Sequence, residues 1–379
     1  MKFVSLKENL KQGLFVVSHV AGKNVNLPIL NNVLIKTEDK NIKLITTDLE
    51  IGVVNTVRGK VEQEGSFTVN SRMISDYVNL LPNKKIEIEK QEESLKLNCD
   101  NYNTKIKGQT AEDFPLIPTV EKKNRIDVNI NDLKKSLNQV GFAVASGDSR
   151  VELSGVLFSF EKNKLTLAAT DSYRLAEKQI DIKTETQEEI EGKKIIVPSK
   201  TIQELLRILS GLKENGEIQG DKQEINFYIS DNQILFTTES TELVSRLIEG
   251  QYPDYKQIIP ENTKTSTVVN RSELIRAVKT SSLFSKNGVN DINLDFPEGK
   301  DQMVVSSTSG QTGENIVEIE AKNSGKDNGI IVNYQYLLDG LKTIEEEEVK
   351  IEVMDNNTPC IVRPVQNPQY LYIIMPIKQ

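Results

Sequence analysis

Histidine and cysteine are almost missing from this chain of 379 residues. His19 is the only histidine, and Cys99 and Cys360 are the only cysteines. One histidine cannot form a His-rich metal site, and two distant cysteines without CxxC spacing match no zinc site. We therefore expect no metal and no cofactor, and two buried thiols. His19 stands in the apolar run GLFVVSHVAG, where a packing or surface role is far more frequent than general-base chemistry.

Nucleotide-binding and hydrolase motifs are missing as well. The chain contains no GxxxxGK[ST], GxGxxG or GxSxG, and Val17 stands where a P-loop ending in AGKN (21–24) would need its first glycine. No apolar run approaches the roughly 18 residues of a membrane helix. The opening MKFVSLKENLKQG carries charge too early for a secretory signal. We expect a cytoplasmic protein that does not contact a membrane and is not an enzyme.

The chain contains one sequence pattern that is repeated three times. Each copy reads as a short apolar strand, a polar or proline break and an amphipathic helix, and the copies align without a gap: FTVNSRMISDYVNLL (67–81), IIVPSKTIQELLRIL (195–209) and IIVNYQYLLDGLKTI (330–344). In the middle copy one helix face is apolar, formed by Ile202, Leu205, Leu206 and Leu209. The expected N-caps are Ser71, Ser199 and Asn333.

A second helix precedes each copy, in SLKENLKQGLFVVSHV (5–20), INDLKKSLNQVGFAVAS (130–146) and NRSELIRAVKTSSLFS (270–285). In the middle one the buried stripe is Leu133, Leu137, Val140 and Val144. Alternating strands lie between the helices, and the turn TTDLEIG (46–52) returns as ATDSYRLA (169–176) and, degenerate, as SSTSGQTG (306–313). The repeats predict an α+β fold of three domains, each a helix pair packed on antiparallel sheets, over residues 1–123, 124–255 and 256–379.

Charge is distributed unevenly along the chain. The net charge is −8, which makes DNA a poor first guess as a partner. Six helical windows nevertheless hold fifteen Lys or Arg against seven Asp or Glu, a balance of +8 that leaves −16 on the rest. The windows are residues 5–23, 70–81, 131–150, 199–213, 270–286 and 333–342. A basic lining within an acidic exterior would attract a polyanion through its phosphates without reading sequence. Solvated helix faces explain the same charges equally well.

Four strings give the chain a family resemblance: LPIL (27–30), ATDSYRLA (169–176), QYPDY (251–255) and the terminal YIIMPIKQ (372–379). Together, in this order and with the threefold repeat, they resemble the bacterial sliding clamp family, the β subunit of DNA polymerase III. The resemblance implies three DNA-clamp domains and a head-to-tail homodimeric ring with helices around the hole. It implies a processivity factor that encircles double-stranded DNA, with the replicative polymerase, the clamp loader, repair polymerases and mismatch-repair proteins as partners.

The family receives partner peptides in a hydrophobic pocket between its second and third domains. Carried over residue by residue, the resemblance places in that pocket Arg150, Leu153, Thr170, Ser172, Tyr173, Arg174, Leu175, Pro253, Ile258, Tyr336, Ile373, Met375, Pro376 and Ile377. Plain core packing is the alternative for Leu153, Leu175 and Ile373. Many family members have Gly-His at Ser172–Tyr173 and end in Arg-Leu, where this chain has Lys378–Gln379, so we expect a shifted peptide preference.

Two further surfaces follow from the resemblance. The family's dimer contacts correspond to Thr104 and Ile106 on one side and Leu283 and Phe284 on the other. Candidate contacts to duplex DNA are the basic residues Lys23, Arg72, Lys134, Lys135, Arg150, Lys200, Arg207, Arg271, Arg276 and Lys279, with Asn24 beside the first of them. Each of these could instead be an idle surface charge.

Two other functions compete with a DNA-encircling ring. One is a protein-interaction scaffold that never meets DNA. The other is a hydrolase that uses Asp48 or Asp171 as an acid or base, although the repeats place these carboxylates in different domains. Paired catalytic carboxylates stand about 5–10 Å apart. Aspartate in TTD and ATD is better interpreted as a turn former that bonds its own backbone.

Overall fold

The computed structural model describes residues 1–22, 26–147, 149–184, 190–214, 223–286 and 288–378, with the backbone alone for 212–214. These residues form two compact units. The first unit comprises Met1–Asn131, Ile182–Ile190 and Lys200–Leu247, and the second comprises Asp132–Asp181, Glu191–Ser199 and Ile248–Gln379. Among the described residues, no helix is long and apolar enough to cross a membrane.

The predicted helices are present. They are α1 (Lys7–Ser18), α2 (Ser71–Leu80), α3 (Ile130–Gly141), α4 (Ser199–Glu214), α5 (Arg271–Ser282) and α6 (Tyr334–Thr343). In α3 the stripe Leu133, Leu137 and Val140 is buried, but Val144 is not part of the helix, which ends three residues earlier at Gly141.

Asparagine caps four of the helices, and at α3 the side chain of Asn129 accepts from the Asn131 N–H. Asn333 accepts hydrogen bonds from two backbone N–H groups at the start of α6, as predicted, and Asn270 does the same for α5. The prediction of Ser71 as a cap is wrong, because the cap of α2 is the preceding Asn70, whose side chain accepts from the Met73 N–H. An asparagine oxygen at this position reaches the first-turn N–H groups as well as a serine would.

Strands make up most of the rest of the chain. The first thirteen are β1 (Lys2–Leu6), β2 (Asn32–Glu38), β3 (Asn41–Thr47), β4 (Ile51–Val57), β5 (Gly59–Gln63), β6 (Gly65–Asn70), β7 (Lys85–Gln91), β8 (Ser94–Cys99), β9 (Tyr102–Gln109), β10 (Ile126–Asn129), β11 (Gly155–Glu161), β12 (Lys164–Thr170) and β13 (Arg174–Asp181). The others are β14 (Lys183–Thr184), β15 (Lys194–Pro198), β16 (Glu224–Ile229), β17 (Gln233–Thr237), β18 (Thr241–Arg246), β19 (Thr265–Asn270), β20 (Asp291–Phe296), β21 (Gln302–Ser309), β22 (Gly313–Gly325), β23 (Asn328–Asn333), β24 (Glu348–Val353), β25 (Cys360–Pro364) and β26 (Tyr370–Ile374).

Each unit contains one continuous sheet. In the first unit the strand order is β14-β10-β16-β17-β18-β4-β3-β2-β6-β9-β8-β7-β1-β5, and in the second it is β15-β11-β12-β13-β26-β25-β24-β19-β22-β21-β20-β23. All strand pairs within these sheets are antiparallel. Many strands alternate buried and partly exposed residues, as in β2, because one face packs against the core.

The threefold repeat of the sequence is a threefold repeat of structure. Each repeat runs strand, helix, several strands, helix and three final strands, beginning at β1, β10 and β19. The third repeat differs in one respect, since the long strand β22 pairs with both β21 and β19 and so replaces two strands of the other repeats. The predicted fold class of repeated helix pairs on antiparallel sheets is confirmed.

Sheet pairing also joins successive repeats. The last strand of the second repeat, β18, pairs with β4 of the first, and the last strand of the third repeat, β26, pairs with β13 of the second. The middle repeat therefore contributes strands to both units. The domain limits 1–123, 124–255 and 256–379 remain a prediction, because the compact units follow the sheets across the repeats.

Both cysteines are buried and free, as predicted. Cys360 is the more enclosed of the two, and burial raises the pKa of its thiol to about 12. A thiol in this environment stays protonated and unreactive near neutral pH.

Candidate binding surfaces

The turn that recurs in the sequence is built in the same way in the first two repeats. Asp171 accepts hydrogen bonds from the N–H groups of Tyr173 (2.9 Å) and Arg174 (3.0 Å), while Asp48 accepts from those of Glu50 (3.0 Å) and Ile51 (2.7 Å). The intervening residue has a left-handed backbone in each copy, with φ of +79° at Ser172 and +81° at Leu49. Both aspartates are therefore turn formers, as the sequence pattern predicts.

Arg174 is the most heavily bonded side chain of the second turn. Its Nε donates to Asp171 (2.9 Å), its Nη1 to Asp339 (2.8 Å) and its Nη2 to the carbonyl oxygen of Phe142 (3.1 Å). The guanidinium also lies 4.5 Å from the centre of the Tyr336 ring, within the range of cation–π attraction. With its side chain only 12% exposed, Arg174 fixes the position of its neighbours and is poorly placed to contact a ligand directly.

An apolar cluster lies beside this turn. Leu175 and Ile373 belong to its buried core, and Ile258 packs against it from the partly buried segment that follows β18. Leu153 is also buried, so the core alternative holds for Leu153, Leu175 and Ile373, whose side chains underlie the surface. Thr170 is buried and donates to the carbonyl oxygen of Arg174 (2.6 Å), which closes the turn above the cluster.

The remaining predicted pocket residues lie around this cluster in the same unit. Tyr173 is 63% exposed, and its carbonyl oxygen accepts the N–H of Met375 at 2.8 Å, which holds the chain end beside the turn. Arg150 donates to Ser172 Oγ (3.0 Å) and Glu152 (3.1 Å). The partly buried members are Pro253, Tyr336, Met375, Pro376 and Ile377. All fourteen predicted pocket residues are thus in the second unit, in which β13 begins and β26 ends beside the turn.

Three important residues of this site were missed by sequence reasoning. Phe142 and Asp339 hold Arg174, and the only signal for Asp339 is its place in a repeated helix. Tyr252 packs against the apolar cluster. Its hydroxyl oxygen is buried without a partner among the described residues, and burial raises the pKa of this phenol.

The predicted DNA contacts form two groups: arginines that bond to backbone carbonyl oxygens of the same chain, and cations that are accessible on the surface. Arg207 binds the carbonyl oxygens of Phe15 (2.7 Å) and Val16 (2.5 Å), and Arg271 binds those of Glu346 (3.0 Å) and Leu341 (3.3 Å). These two guanidiniums connect backbone segments, which the sequence could not reveal.

The other predicted cations present more surface, although several have acidic partners. Lys135 pairs with Glu345 (2.7 Å), Lys200 with Asp48, and Arg72, at 3.7 Å, with Asp76. Arg276 and Lys279 are exposed on α5, and Lys134 is partly exposed on α3. Lys23 and Asn24 lie outside the described residues. No group of three or more metal-ligating side chains was found within the described part of the chain.

The predicted dimer residues differ in accessibility. Leu283 is 73% exposed after α5, whereas Phe284 and Thr104 are partly buried. Ile106 is only 2% exposed, so its side chain belongs to the core of its own unit and cannot serve as an intermolecular contact. This correction has a simple cause, since alternate residues of β9 face opposite sides of the sheet and Ile106 faces inward.

Several strands have a neighbour on one side only within the described ranges, among them the terminal strands β5, β15 and β23, and two further open edges lie on β9 and β22. Residues 102–106 of β9 pair with β8 alone, and residues 313–320 of β22 pair with β21 alone. β9 is the last strand of the first repeat, and this part of β22 follows the turn of the third repeat. Within their repeats, β9 corresponds to β18 and β26, and this part of β22 corresponds to β4 and β13. The strand pairs β18–β4 and β26–β13, which we call joins, therefore connect the same two positions of successive repeats.

A threefold repeated α+β protein with complementary open edges is the class of molecule that these observations define. Profiles of the DNA polymerase III beta subunit match the chain along its length, the N-terminal domain over residues 1–118, the central domain over 127–254 and the C-terminal domain over 256–378. The chain belongs to the DNA polymerase III beta subunit family.

Individual relatives agree with this assignment. The beta sliding clamp of Staphylococcus epidermidis is 29% identical over 362 residues, which cover 93% of this chain and 92% of the relative. The DNA polymerase sliding clamp of Bacillus subtilis superposes with a TM-score of 0.91 at 26% identity, over 100% of this chain and 99% of that one. A sliding clamp of Pseudomonas aeruginosa bound to griselimycin gives a TM-score of 0.92 at 27% identity, over all of both chains.

Proposed function

We propose that this protein is a processivity factor: a ring of two chains that encircles duplex DNA and tethers the replicative polymerase. One observation carries the proposal, namely the pair of open edges on β9 and β22, which are equivalent to the strands joined twice within the chain. If β9 of each chain pairs with β22 of the other in the same way, the backbone groups on all four of these edges are hydrogen-bonded. The two chains then form a closed assembly. Six repeats then surround one opening.

The two existing joins predict the register of the third. In the first join Leu243 lies opposite Val53, and in the second Tyr372 lies opposite Ala176. When the repeats are aligned on their turns and on the neighbouring strand pairs, Thr104 in β9 corresponds to Leu243 in β18 and Tyr372 in β26. In the same alignment Asn315 in β22 corresponds to Val53 in β4 and Ala176 in β13. The intermolecular pairs are then Thr104–Asn315, Lys105–Glu314, Asn103–Ile316 and Tyr102–Val317, each written with the residue of β9 first.

The side chains at this register suit each other. Lys105 and Glu314 are exposed and of opposite charge, and directly opposed charges favour pairing. Leu283 occupies the position of Phe142, whose ring lies 5.4 Å from that of Tyr372 across the second join. By this equivalence Leu283 packs against Thr104 of the other chain. Exposed apolar groups near the join, Tyr102 and Ile316 among them, are covered by the same association.

Paired cysteines test the register directly. Thr104 and Asn315 correspond to a pair without backbone hydrogen bonds between them, where Cα atoms approach to about 4.5 Å, a separation that suits a disulfide. We expect the double variant Thr104→Cys, Asn315→Cys to form covalent dimers on mild oxidation, visible in a non-reducing gel. The native cysteines, both buried, are not expected to react.

A shifted pair controls for nonspecific oxidation. In the variant Thr104→Cys, Glu314→Cys the second cysteine is one residue away and faces the other side of the sheet, so it should give little covalent dimer. Equal yields from both variants, or no product from the first, would contradict the proposed join.

Duplex DNA is the proposed occupant of the ring. The candidates for phosphate contacts are the cations that present surface, namely Arg72, Lys134, Lys135, Arg150, Lys200, Arg276 and Lys279. The acidic partners of Arg72, Lys135, Arg150 and Lys200 weaken the contacts of these four cations, which suits a ring that is retained by topology and must slide. The excess of negative charge outside the helices discourages DNA from binding elsewhere.

The surface around Tyr173 and Met375 is the proposed docking site for partner peptides. It combines an apolar floor with exposed polar groups, the arrangement expected of a specific peptide site. The proposed occupants are short apolar segments of the replicative polymerase, the clamp loader, repair polymerases and mismatch-repair proteins. Tyr173 and the Arg150–Ser172 hydrogen bond are features of this chain that would adjust the preferred sequence.

Met375 offers a sharp test of the pocket. Its thioether side chain is partly buried beside the turn and can adapt to differently shaped ligands. We expect Met375→Ala to weaken the binding of a polymerase-derived peptide about tenfold, as truncation of an interface anchor commonly does, without changing the mass of the dimer. Fluorescence anisotropy with a labelled peptide measures this. Val365→Ala, at an exposed apolar residue outside the fourteen pocket residues, is the control, and an unchanged affinity of Met375→Ala would refute the site.

The proposal assigns no catalytic step to the protein and places it in the cytoplasm, at the nucleoid where its DNA is. It also keeps the three domains 1–123, 124–255 and 256–379 as the units of the ring, which agree with the ranges matched by the family profiles. A scaffold without DNA would need neither the complementary edges nor cations on helices that surround an opening. Retention of the closed ring on circular DNA distinguishes a DNA-encircling ring from such a scaffold.

A further inference from the structure

A cavity of about 700 Å³ in the first unit has no part in the join or in the peptide site. It is bounded by the end of α1, the beginning of α2 and a single residue of α4, and its walls include Phe15, His19, Asn70, Arg72, Ser75 and Arg207. Its volume is within the range of small-molecule sites.

His19 is held at this cavity by a network of buried charge. Its Nδ1 lies 2.7 Å from Oε2 of Glu204, a carboxylate whose side chain is only 3% exposed. Arg207 binds both oxygens of the same carboxylate at 3.1 Å and is itself fixed on the carbonyl oxygens of Phe15 and Val16. The imidazole is 70% exposed, and its Nδ1 is bonded to Glu204.

The other walls supply a flat apolar surface and a cation. The Arg207 guanidinium lies over one face of the Phe15 ring, 4.8 Å from its centre, and Phe15 is still 42% exposed as a wall of the cavity. Pro28 adds a second apolar wall. Arg72 has an 80% exposed side chain, and it pairs at 3.7 Å with Asp76, which also lines the cavity. A flat ring and a cation together match the base and the phosphate of a nucleotide.

We propose that this cavity binds one nucleotide of single-stranded DNA. The base packs against Phe15, and the adjoining phosphate is held by Arg72. Bases of intact duplex are stacked and cannot enter, so the site takes an unpaired residue next to the encircled duplex, as at a primer–template junction. The inference rests on the proposed function in one respect: the ring brings DNA past the helices that carry the cavity.

Photocrosslinking with the native dimer tests the site. An oligothymidylate that contains 5-iodouracil is bound at low salt and irradiated, and the adduct is located by mass spectrometry. We expect the crosslink in the cavity, at Phe15 or His19. An adduct at Tyr173 or elsewhere would overturn the proposal, as would efficient crosslinking by free 5-iodo-deoxyuridine monophosphate without crosslinking by the strand.

Two substitutions at one position provide the affinity test. Ser75→Trp fills the cavity, whereas Ser75→Ala leaves it open. We expect the tryptophan variant to bind oligothymidylate about tenfold more weakly, consistent with the stacking of a single base, and the alanine variant to bind like the native protein. Equal affinity of the two variants would refute the site. Catenation on circular duplex should be unaffected in both, so a failure of the ring is recognised separately.

Discussion

The variant Leu283→Asp is expected to be a monomer at concentrations where the native protein is a dimer. Leu283 is 73% exposed in the single chain, so aspartate there should leave the fold intact. At the proposed join the same residue packs against Thr104 of the other chain, where a carboxylate would be buried without a partner. The loss of a central apolar contact and the burial of an unpaired charge together cost about 3 kcal/mol at each of the two joins. The sum of about 6 kcal/mol corresponds to roughly a ten-thousandfold loss of dimer affinity.

Light scattering after size-exclusion chromatography measures this change as a halved mass. The matched control is Leu116→Asp, because Leu116 is even more exposed, at 94%, and lies away from β9 and β22 in the register that we propose. The control should remain a dimer. A dimeric Leu283→Asp protein, or a monomeric control, would show that the chains associate through another surface.

Arg174→Ala is expected to destabilise the second unit and to weaken peptide binding at the same time. The substitution leaves Oδ2 of Asp171 and the carbonyl oxygen of Phe142 without their donor and removes the guanidinium from the face of Tyr336. Removal of one partner from a buried pair costs about 3–5 kcal/mol. Asp339 is 38% exposed and can turn to water, so we expect about 3 kcal/mol, at the lower end of this range.

Urea unfolding and peptide titration measure the two effects. Arg150→Ala is the control, since Arg150 is a half-exposed arginine that bonds the same turn through Ser172. It should change the free energy of unfolding by no more than about 0.5 kcal/mol. Arg174 positions the pocket through three directed hydrogen bonds and does not touch the ligand. Lysine supplies the charge but not this geometry, so Arg174→Lys should restore part of the stability and little of the peptide affinity. Native stability of Arg174→Ala would contradict the positioning role.

The repeats are what made the fold predictable from sequence. Apolar residues such as Leu133, Leu137 and Val140 recur at helical spacing, and the aspartate turn recurs between strands. Each copy of the pattern is imperfect, but the three copies support the same interpretation. The helical spacing and the turn are both local features, which can be recognised in a single sequence. The helix ends were less well predicted, since Ser71 and Asn70 are both good caps and only the structure distinguishes them.

The roles of individual cations could not be predicted in this way. Arg207 and Arg271 looked like surface charge but bond to distant carbonyl oxygens, Arg207 to residues some 190 positions away. Ile106 likewise looked available and is buried. Contacts of this kind depend on tertiary packing, which leaves no periodic signal in the sequence. The open edges of β9 and β22 became recognisable only after the two internal joins were known.

Catenation on DNA tests the central claim most directly. The variant Thr104→Cys, Asn315→Cys is mixed with circular duplex at low salt, oxidised to close both joins, washed at high salt and then treated with a restriction enzyme that cuts the circle once. We predict that covalently closed protein stays on the circle through the wash and is released when the DNA is cut, because topology alone holds it. Loss of the protein from intact circles, or its retention on the linear product, would contradict encirclement.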